Sequence, residues 1–325
     1  MIRKRSLFTL LTTCMFSTLS AQDPTFSQFY ANRLYLNPAW AGIEDGRRLF
    51  FNYRNQNDNT FVTYSASYDQ YIEPLHGGIG FSIMNDTQGE GSLNQLSLSG
   101  IYSYHIKVNR SLSVNGGLQA SWLQRKFNAS DFIFGDQIDP QTGNIISGSE
   151  SYPDSKKDFP DFSAGIAAFY KNYYAGFAAF HLFEPFQSVS SNPDARLPRK
   201  YLYYMGGFFP LYERRFGREV IQLNPNLIYL QQKNINQLCY GMEVLVQNLY
   251  AAGFLIRQNL GIKYSAAIFS AGLTVNNMRF RYSYDAQLPL PAMNLTPHGA
   301  HEISLIVNIE TKTKINRKAI KCPEF

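Results

Sequence analysis

The clearest pattern in the sequence is an alternation of apolar and polar positions between residues 95 and 122, interrupted in the first run by Ile101. Two alternating runs, 95–108 and 111–122, flank the polar pair Asn109-Arg110, as expected for a β-hairpin. In the first run the even-numbered positions are apolar or small: Leu96, Leu98, Gly100, Tyr102, Tyr104, Ile106 and Val108. A strand of a soluble protein is usually about five or six residues long. Strands of this greater length are needed to cross a bilayer at a tilt.

Similar runs recur along the chain and predict about fourteen strands. They lie near 47–57, 60–71, 77–86, 93–108, 111–127, 161–171, 173–183, 200–209, 218–231, 235–247, 249–257, 263–276, 278–285 and 300–310. A sheet in lipid must pair every backbone N–H and C=O within the protein, so it closes on itself. The predicted fold is therefore all-β: a transmembrane antiparallel β-barrel over residues 47–310.

The connections between these runs alternate in length, which predicts the sidedness of the barrel. The long connections would lie outside the cell: 128–160, 184–199 and 286–299. The tight ones would lie in the periplasm: Asn109-Arg110, Asn172, Asn248 and Asn277. The links 58–59 and 232–234 are shorter than this scheme expects, and 210–217 is longer. The scheme places the N- and C-termini in the periplasm.

The two ends of the chain differ from the predicted barrel. Residues 1–21 combine Arg3, Lys4 and Arg5 with an apolar run that ends at Ala21, which predicts a signal peptide. A membrane anchor would need about 18 apolar residues, and a lipoprotein cleaved at Cys14 would leave the apolar run too short. The tail, 311–325, is basic, so the net charge of +6 belongs to the two ends. No basic face for nucleic acid is indicated.

The lumen-facing positions are mainly Ser, Asn, Gln and Gly. We expect few charged side chains there, and therefore a lumen that is narrow or filled by something polar. Cys239 falls on the lumen-facing register near an outer loop, whereas Cys322 lies in the tail. No disulfide between them is expected, because the two positions would be separated by about the thickness of the membrane.

The segment 22–46, between the signal peptide and the first strand, is rich in aromatic residues. Phe26, Phe29, Tyr30 and Arg33 have helical spacing, and Asn37-Pro38 would end it, so we expect a short helix or turn followed by an irregular link into the first strand. Leaving these aromatic side chains in water would be unfavourable. We predict that the segment packs in the periplasmic mouth as a plug or binds a partner, through Phe26, Phe29, Tyr30, Leu36, Asn37, Pro38, Trp40 and Gly42.

Five short motifs resemble those of one family. QDPTFSQFYANRLYLNPAWAG, from residue 22, resembles the N-terminal signature of the PorP/SprF family of the type IX secretion system. FGDQID, RYSYD, HEISL and KCPEF, starting at residues 134, 281, 301 and 321, resemble its outer-loop, penultimate-strand, last-strand and C-terminal motifs. The resemblance implies an outer-membrane barrel of Bacteroidota, in some members connected with gliding motility. It also marks Phe134, Gly135, Asp136 and Gln137 as an outer-loop motif.

The resemblance further implies partners rather than chemistry. They are a secreted protein with a C-terminal sorting domain, often a large adhesin, other type IX components on the periplasmic side, and outer-membrane lipid. Such a barrel would assist export of the secreted protein and hold it at the cell surface. The main alternative is an outer-membrane channel or small-solute transporter, which would show conductance in planar bilayers.

The tail is expected to act as a docking peptide for an acidic periplasmic partner. Its candidate contacts are Lys318, Lys321, Cys322, Pro323 and Phe325. Two other interpretations are an assembly signal that ends in Phe325 and a solvated tail. No enzyme is predicted, because His105 lies beside serines on one strand but has no orienting acid. The five histidines form no cluster with metal-ligand spacing, so neither metal nor cofactor is expected.

Overall fold

The computed structural model describes residues 23–44, 46–128, 142, 154–187, 196–214, 218–260, 265–288 and 299–309. Its strands are β1 Arg47–Gln56, β2 Phe61–Ile72, β3 Gly77–Gln88, β4 Leu93–Lys107, β5 Leu112–Phe127, β6 Ser155–Tyr170, β7 Tyr173–Phe180, β8 Lys200–Gly207, β9 Phe209–Arg214, β10 Arg218–Gln232, β11 Ile235–Val246, β12 Tyr250–Asn259, β13 Ser265–Val275, β14 Met278–Leu288 and β15 Ala300–Ile309. The helical elements are α1, Arg33–Leu36, and two 3₁₀ turns, Pro38–Trp40 and Glu73–Leu75. None of the helices in these ranges is long and apolar enough to cross a membrane.

The strands form one closed antiparallel barrel. Apart from β8 and β9, strands that follow one another in the chain are paired, and β1 completes the ring by pairing with β15. The closing register runs from Arg47 opposite Ile309 to Gln56 opposite Ala300. β8 and β9 both pair with β10, one after the other, and so occupy one position in the ring. The barrel therefore has fourteen positions, which confirms the predicted fold.

The interruption between β8 and β9 corrects one predicted boundary. The backbone N–H of Phe208 donates to the carbonyl of Asn172 at 2.9 Å, whereas β8 and β9 both bond to β10. The facing stretch of β10 contains Pro225, which has no N–H to donate to a sheet. Residues 210–214, predicted as part of a link, continue as β9 and pair with the beginning of β10.

A second boundary differs at β6. This strand begins at Ser155, six residues before the predicted start near 161, and pairs along the whole of β5 as far as Phe127 opposite Ser155. The first residues of β6 carry Lys156, Lys157 and Asp158, whose charges hid the strand from a search for apolar alternation. The pairing partner, rather than local composition, extends the strand.

The alternation of the strands separates a lumen face from a lipid face. On β4, Ser97, Ser99 and Ser103 are buried, whereas Leu98, Tyr102 and Tyr104 are exposed on the outside. One end of the barrel has the short turns before β3, β5, β7, β12 and β14, and we call it the turn end. The opposite end has the long connections after β5, β7 and β14, and we call it the loop end.

Candidate functional site in the lumen

Residues 23–44 run through the lumen from the loop end to the turn end, and we call them the plug. Asp23 lies beside His181 and Lys200, which flank the connection from β7 to β8 at the loop end. Gly42 donates its backbone N–H to Asp69, near the turn end of β2, at 2.8 Å. Between these points nearly every side chain of the plug is buried, from Ser27 to Ile43. The N-terminal segment therefore lies inside the lumen and passes from its loop end to its turn end.

The plug contains a turn and one short helix, within the expectation of a short helix or turn before Asn37-Pro38. Regular helix covers only Arg33–Leu36, followed by the 3₁₀ turn Pro38–Trp40. The preceding aromatic residues make contacts with the barrel wall instead of a continuous helical face. The predicted end of the helix at Asn37-Pro38 is found, because Asn37 has an extended backbone with φ −162° and ψ 129°.

Two carboxylates of the wall bind the backbone and side chains of the plug near the loop end. Glu302 accepts the backbone N–H groups of Ser27 and Gln28, at 2.7 and 3.0 Å. Asp285 accepts the Ser27 hydroxyl at 2.7 Å. Arg54 bridges both carboxylates, at 3.0 Å from Glu302 and 2.8 Å from Asp285. We call this cluster, with Arg257 at 3.0 Å from Asp285, the charged anchor.

The charged anchor joins three motifs that are far apart in the sequence. Ser27 and Gln28 belong to the N-terminal signature, Asp285 to RYSYD and Glu302 to HEISL. The Gln28 amide also donates to Ser283 of RYSYD at 3.0 Å. Two arginines and two carboxylates balance in charge, as a buried cluster requires. RYSYD and HEISL are thus parts of the wall that hold the plug, and the N-terminal signature is the plug that they hold.

A second ionic contact fixes the first residue of the plug. The Asp23 carboxylate lies 2.7 Å from Lys200 Nζ and 2.8 Å from His181 Nε2. The other ring nitrogen of His181 lies 2.9 Å from Asp161 on β6. At the turn end, Glu44 lies between Arg33 and Arg48, and Arg48 also binds Asp69 at 2.6 Å. Ionic contacts therefore hold the plug at both ends.

The middle of the plug is held by aromatic packing and one amide. Asn37 Nδ2 lies 3.0–3.1 Å from the carbonyls of Ile166 and Phe177 and from the Tyr204 hydroxyl. Its Oδ1 accepts the Ala39 N–H at 2.8 Å and so caps the 3₁₀ turn. The Trp40 indole donates to the same hydroxyl at 2.5 Å. Trp40 also packs edge-on against Phe169 and Tyr174, and we call Asn37, Trp40, Phe169, Tyr174 and Tyr204 the aromatic anchor.

Glycines in the wall let the plug come close. A methyl group at Gly117 would overlap with the backbone of Pro38 and Ala39. A methyl group at Gly78 would overlap with the backbone of Ala41 and Gly42. His105, considered above for catalysis, contacts the plug carbonyl of Ala41 at 3.0 Å, and Ser103 on the same strand donates to that of Ala39 at 3.0 Å.

The expectation of a lumen poor in charge is wrong. Buried charged side chains lie on the inner face of many strands: Arg48, Arg54, Asp69, Asp86, Arg125, Asp161, Lys200, Glu243, Arg281, Asp285 and Glu302. Each strand contributes only one or two, so none forms a row in the sequence. Closure of the barrel and the presence of the plug bring them together. A charged residue at a lumen-facing position within a Ser- and Asn-rich run was the signal that could have revealed them.

The predicted plug residues all lie in the described lumen. Phe26 is half-buried, and the remaining seven are buried: Phe29, Tyr30, Leu36, Asn37, Pro38, Trp40 and Gly42. The outer-loop residues Phe134, Gly135, Asp136 and Gln137 lie outside the described residues, as do Lys318, Lys321, Cys322, Pro323 and Phe325 of the tail. Cys239 is a free thiol on the lumen side of β11.

A closed fourteen-strand barrel with a lipid-facing apolar surface defines the class of the protein as an outer-membrane β-barrel. The family model for the type IX secretion system membrane protein PorP/SprF matches residues 18–307. The chain therefore belongs to the PorP/SprF family.

Solved structures resemble the chain in fold. The Ralstonia pickettii toluene transporter TbuX has a TM-score of 0.51 and 8% sequence identity, covering 85% of this chain and 93% of TbuX. The CymD monoaromatic hydrocarbon channel has a TM-score of 0.51 and 11% identity, covering 86% of this chain and 93% of CymD. No curated protein matches the sequence.

Proposed function

We propose that this barrel assists the export of a cognate secreted protein with a C-terminal sorting domain and holds that protein at the cell surface. The observation that carries the proposal is a lumen through which the plug runs from the loop end to the turn end, in a chain of the type IX secretion family. In the part of the lumen that the structure describes, the space that a second polypeptide would need is largely taken by the plug. The surfaces outside the lumen are then the ones that meet partners.

We place the turn end of the barrel in the periplasm, following the rule that periplasmic turns are short. Ile309, the last described residue, lies at this end opposite Arg47. The tail would then begin in the periplasm, where we propose that Lys318, Lys321, Cys322, Pro323 and Phe325 dock on another type IX component. Asp23, the first described residue, lies at the loop end and would then face the outside.

The contact with the secreted protein is assigned to the loop end. The longest connections emerge there, and loops on a rigid scaffold commonly carry binding residues. The motif Phe134, Gly135, Asp136 and Gln137 lies in one of these connections and is the first candidate for substrate contact. Large adhesins are the substrate class that the family resemblance suggests.

The proposal is tested in a type IX-secreting cell that lacks its own copy of this gene. Wild-type protein and a variant with Phe134, Asp136 and Gln137 replaced by Ser are expressed separately. We expect both barrels to insert, shown by heat-modifiable migration on gels. Only the wild type should restore the secreted protein on the cell surface. Surface display that is normal without any barrel would refute the proposal.

The second candidate is an outer-membrane channel or small-solute transporter; TbuX is named as a toluene transporter and CymD as a monoaromatic hydrocarbon channel. A cavity beside the plug favours keeping this candidate. Purified protein in planar bilayers distinguishes the two. Steady conductance by the wild type would support a channel, whereas conductance only after the plug is released would support the secretion role.

A further inference from the structure

The lipid face of β5 and β6 changes from apolar to polar near the loop end. The outward side chains of β5 are apolar or small from Leu112 to Trp122, and the next outward ones are Gln124 and Lys126. At about 3.3 Å per residue and a tilt of about 40°, the interval from Leu112 to Trp122 has a height of about 25 Å. The apolar band of an outer-membrane barrel has about this height. Lys126 therefore lies at the level of the lipid headgroups.

Two lysines face each other beyond this boundary. The strand register places Lys126 of β5 directly opposite Lys156 of β6, and both side chains are exposed. Residues paired in this way have Cβ atoms about 5 Å apart, and like charges at such positions are destabilising. Among the described residues, neither lysine forms an ion pair. An anion held between the two ammonium groups would remove the repulsion.

The adjacent pair on the lumen side is also cationic. Arg125 lies directly opposite Lys157 in the same register. Arg125 donates to the side-chain oxygen of Gln187, and Lys157 Nζ lies 5.9 Å from the centroid of the Phe186 ring. Both contacts are with neutral groups. The second pair therefore adds to the positive potential around Lys126 and Lys156.

Two carboxylates nearby reduce this charge without cancelling it. Asp158 lies one outward position closer to the middle of the membrane and accepts the Gln124 amide at 2.9 Å. Asp154 is exposed and precedes β6. The four cations of β5 and β6 thus outnumber these carboxylates. Outward side chains near the loop end of β1, β3, β10, β11 and β12 are neutral and polar: Asn55, Thr87, Gln231, Asn236 and Gln258.

We propose that Lys126 and Lys156 bind the phosphate monoester headgroup of a lipid in the leaflet at the loop end, which is the outer leaflet in the orientation proposed above. A phosphate monoester carries a charge of about −1.5 to −2 at pH 7, which matches two ammonium groups. The acyl chains would lie along Trp122 and Phe162, which are both exposed on the lipid face. The inference goes beyond the role in secretion, since it requires neither the secreted protein nor another type IX component.

Trp122 reports which lipid occupies this position, because it faces the lipid on the same strand as Lys126. The full mature chain is reconstituted in phosphatidylcholine vesicles that contain a minor fraction of phosphatidic acid. Brominated acyl chains, which quench tryptophan on contact, are carried either by the phosphatidic acid or by an equal amount of the phosphatidylcholine. The surface charge is then the same in both samples. A Trp122→Phe variant supplies the signal of the buried Trp40, which is subtracted.

We expect phosphatidic acid to be preferred over phosphatidylcholine beside Trp122 by about tenfold or more, because two lysines contribute at a membrane surface. Replacing both, Lys126→Gln with Lys156→Gln, should bring the preference close to that of the bulk lipid. The matched control is Lys171→Gln with Lys233→Gln, which removes the same charge from exposed positions outside the patch. Added salt should lower the wild-type preference, because exposed charges are screened over about 8 Å at physiological ionic strength.

A preference that is present in the wild type and in the control, and lost in the variant without Lys126 and Lys156, supports the site. Equal quenching by the two brominated lipids in the wild type would overturn it, as would the same preference in both double variants. Soluble glycerol phosphate, at the same total concentration as the phosphatidic acid, should leave the quenching unchanged. Displacement by it would overturn a lipid as the occupant. Heat-modifiable migration shows that each variant is folded, and the wild-type comparison needs no variant of the patch.

Discussion

The two anchors hold the same plug against opposite kinds of wall. At the charged anchor, Arg54, Asp285 and Glu302 come from β1, β14 and β15 and surround a turn of the plug with ionic groups. At the aromatic anchor, β6, β7 and β8 present rings and backbone carbonyls to Asn37 and Trp40. The charged anchor depends on charges that compensate one another. The aromatic anchor depends on ring packing and on the Asn37 side-chain amide, which makes several hydrogen bonds.

This difference predicts how each anchor fails. A buried ion pair contributes little net stability when intact, but losing one partner leaves an unpaired charge. An aromatic cluster loses stability gradually, in proportion to the area and hydrogen bonds removed. The charged anchor therefore selects one position for the plug, whereas the aromatic anchor supplies adhesion.

The two tryptophans of the chain allow the plug and the barrel to be observed separately. Trp40 belongs to the plug and is 1% exposed, whereas Trp122 faces the lipid from β5. In a Trp122→Phe variant, Trp40 is the remaining tryptophan, so a change in its fluorescence emission reports release of the plug. Heat-modifiable migration on gels reports the barrel.

The largest effect is expected for Glu302→Leu, which removes the acceptor for two plug N–H groups and leaves Arg54 with one carboxylate. Docking of the plug should weaken by about 3–5 kcal/mol. The urea midpoint of Trp40 emission should fall, while the barrel remains heat-modifiable. Glu184→Leu is the control: its pair with Arg199 is partly exposed, so its effect should stay within about 1 kcal/mol. Equal effects of both variants would contradict the charged anchor.

A somewhat smaller effect is expected for Asn37→Ala. The variant leaves the carbonyls of Ile166 and Phe177 without their plug donor and removes the cap of the 3₁₀ turn. We expect a loss of about 2–4 kcal/mol in the same urea measurement. Asn94→Ala, which removes one hydrogen bond to Thr87 outside the plug contact, should leave the Trp40 midpoint nearly unchanged. A larger shift for Asn37→Ala than for Glu302→Leu would reverse the order of the two anchors.

Gly117→Ala tests whether close approach matters. The added methyl group overlaps with the plug backbone, and overpacking of this kind costs about 1–3 kcal/mol. Gly100→Ala is the matched control, since nothing lies within contact of a methyl group there. The Trp40 midpoint should fall for Gly117→Ala only, and a similar fall in both variants would mean that strand stability, not the plug, is affected.

The smallest effect is expected for Tyr204→Phe. Only the hydroxyl is lost, with its bonds to Trp40 and Asn37, while the ring packing is kept. The loss should be about 1 kcal/mol in the urea measurement. The wavelength of maximum Trp40 emission should also shift, because the indole N–H no longer donates to the Tyr204 hydroxyl. Unchanged emission would show that this hydrogen bond is absent in the membrane.

Much of the fold could be predicted from the sequence because period-two alternation is a local property. Residues 95–122 predicted β4 and β5 with their turn, and the number of runs predicted the closed ring. The boundaries that failed, at β6 and at β9, depend on pairing with a neighbouring strand or on a proline in that neighbour.

The sequence by itself determined the strands, the two faces of the wall and, through its motifs, the family. Only the tertiary structure decided the path of the plug and the clusters that hold it. Arg54, Asp285 and Glu302 lie as much as 248 residues apart, and their meeting depends on how the ring closes. Each is a single charge within a polar run, so no local pattern marks it. Their burial becomes favourable only when the plug and the opposing charges are present together.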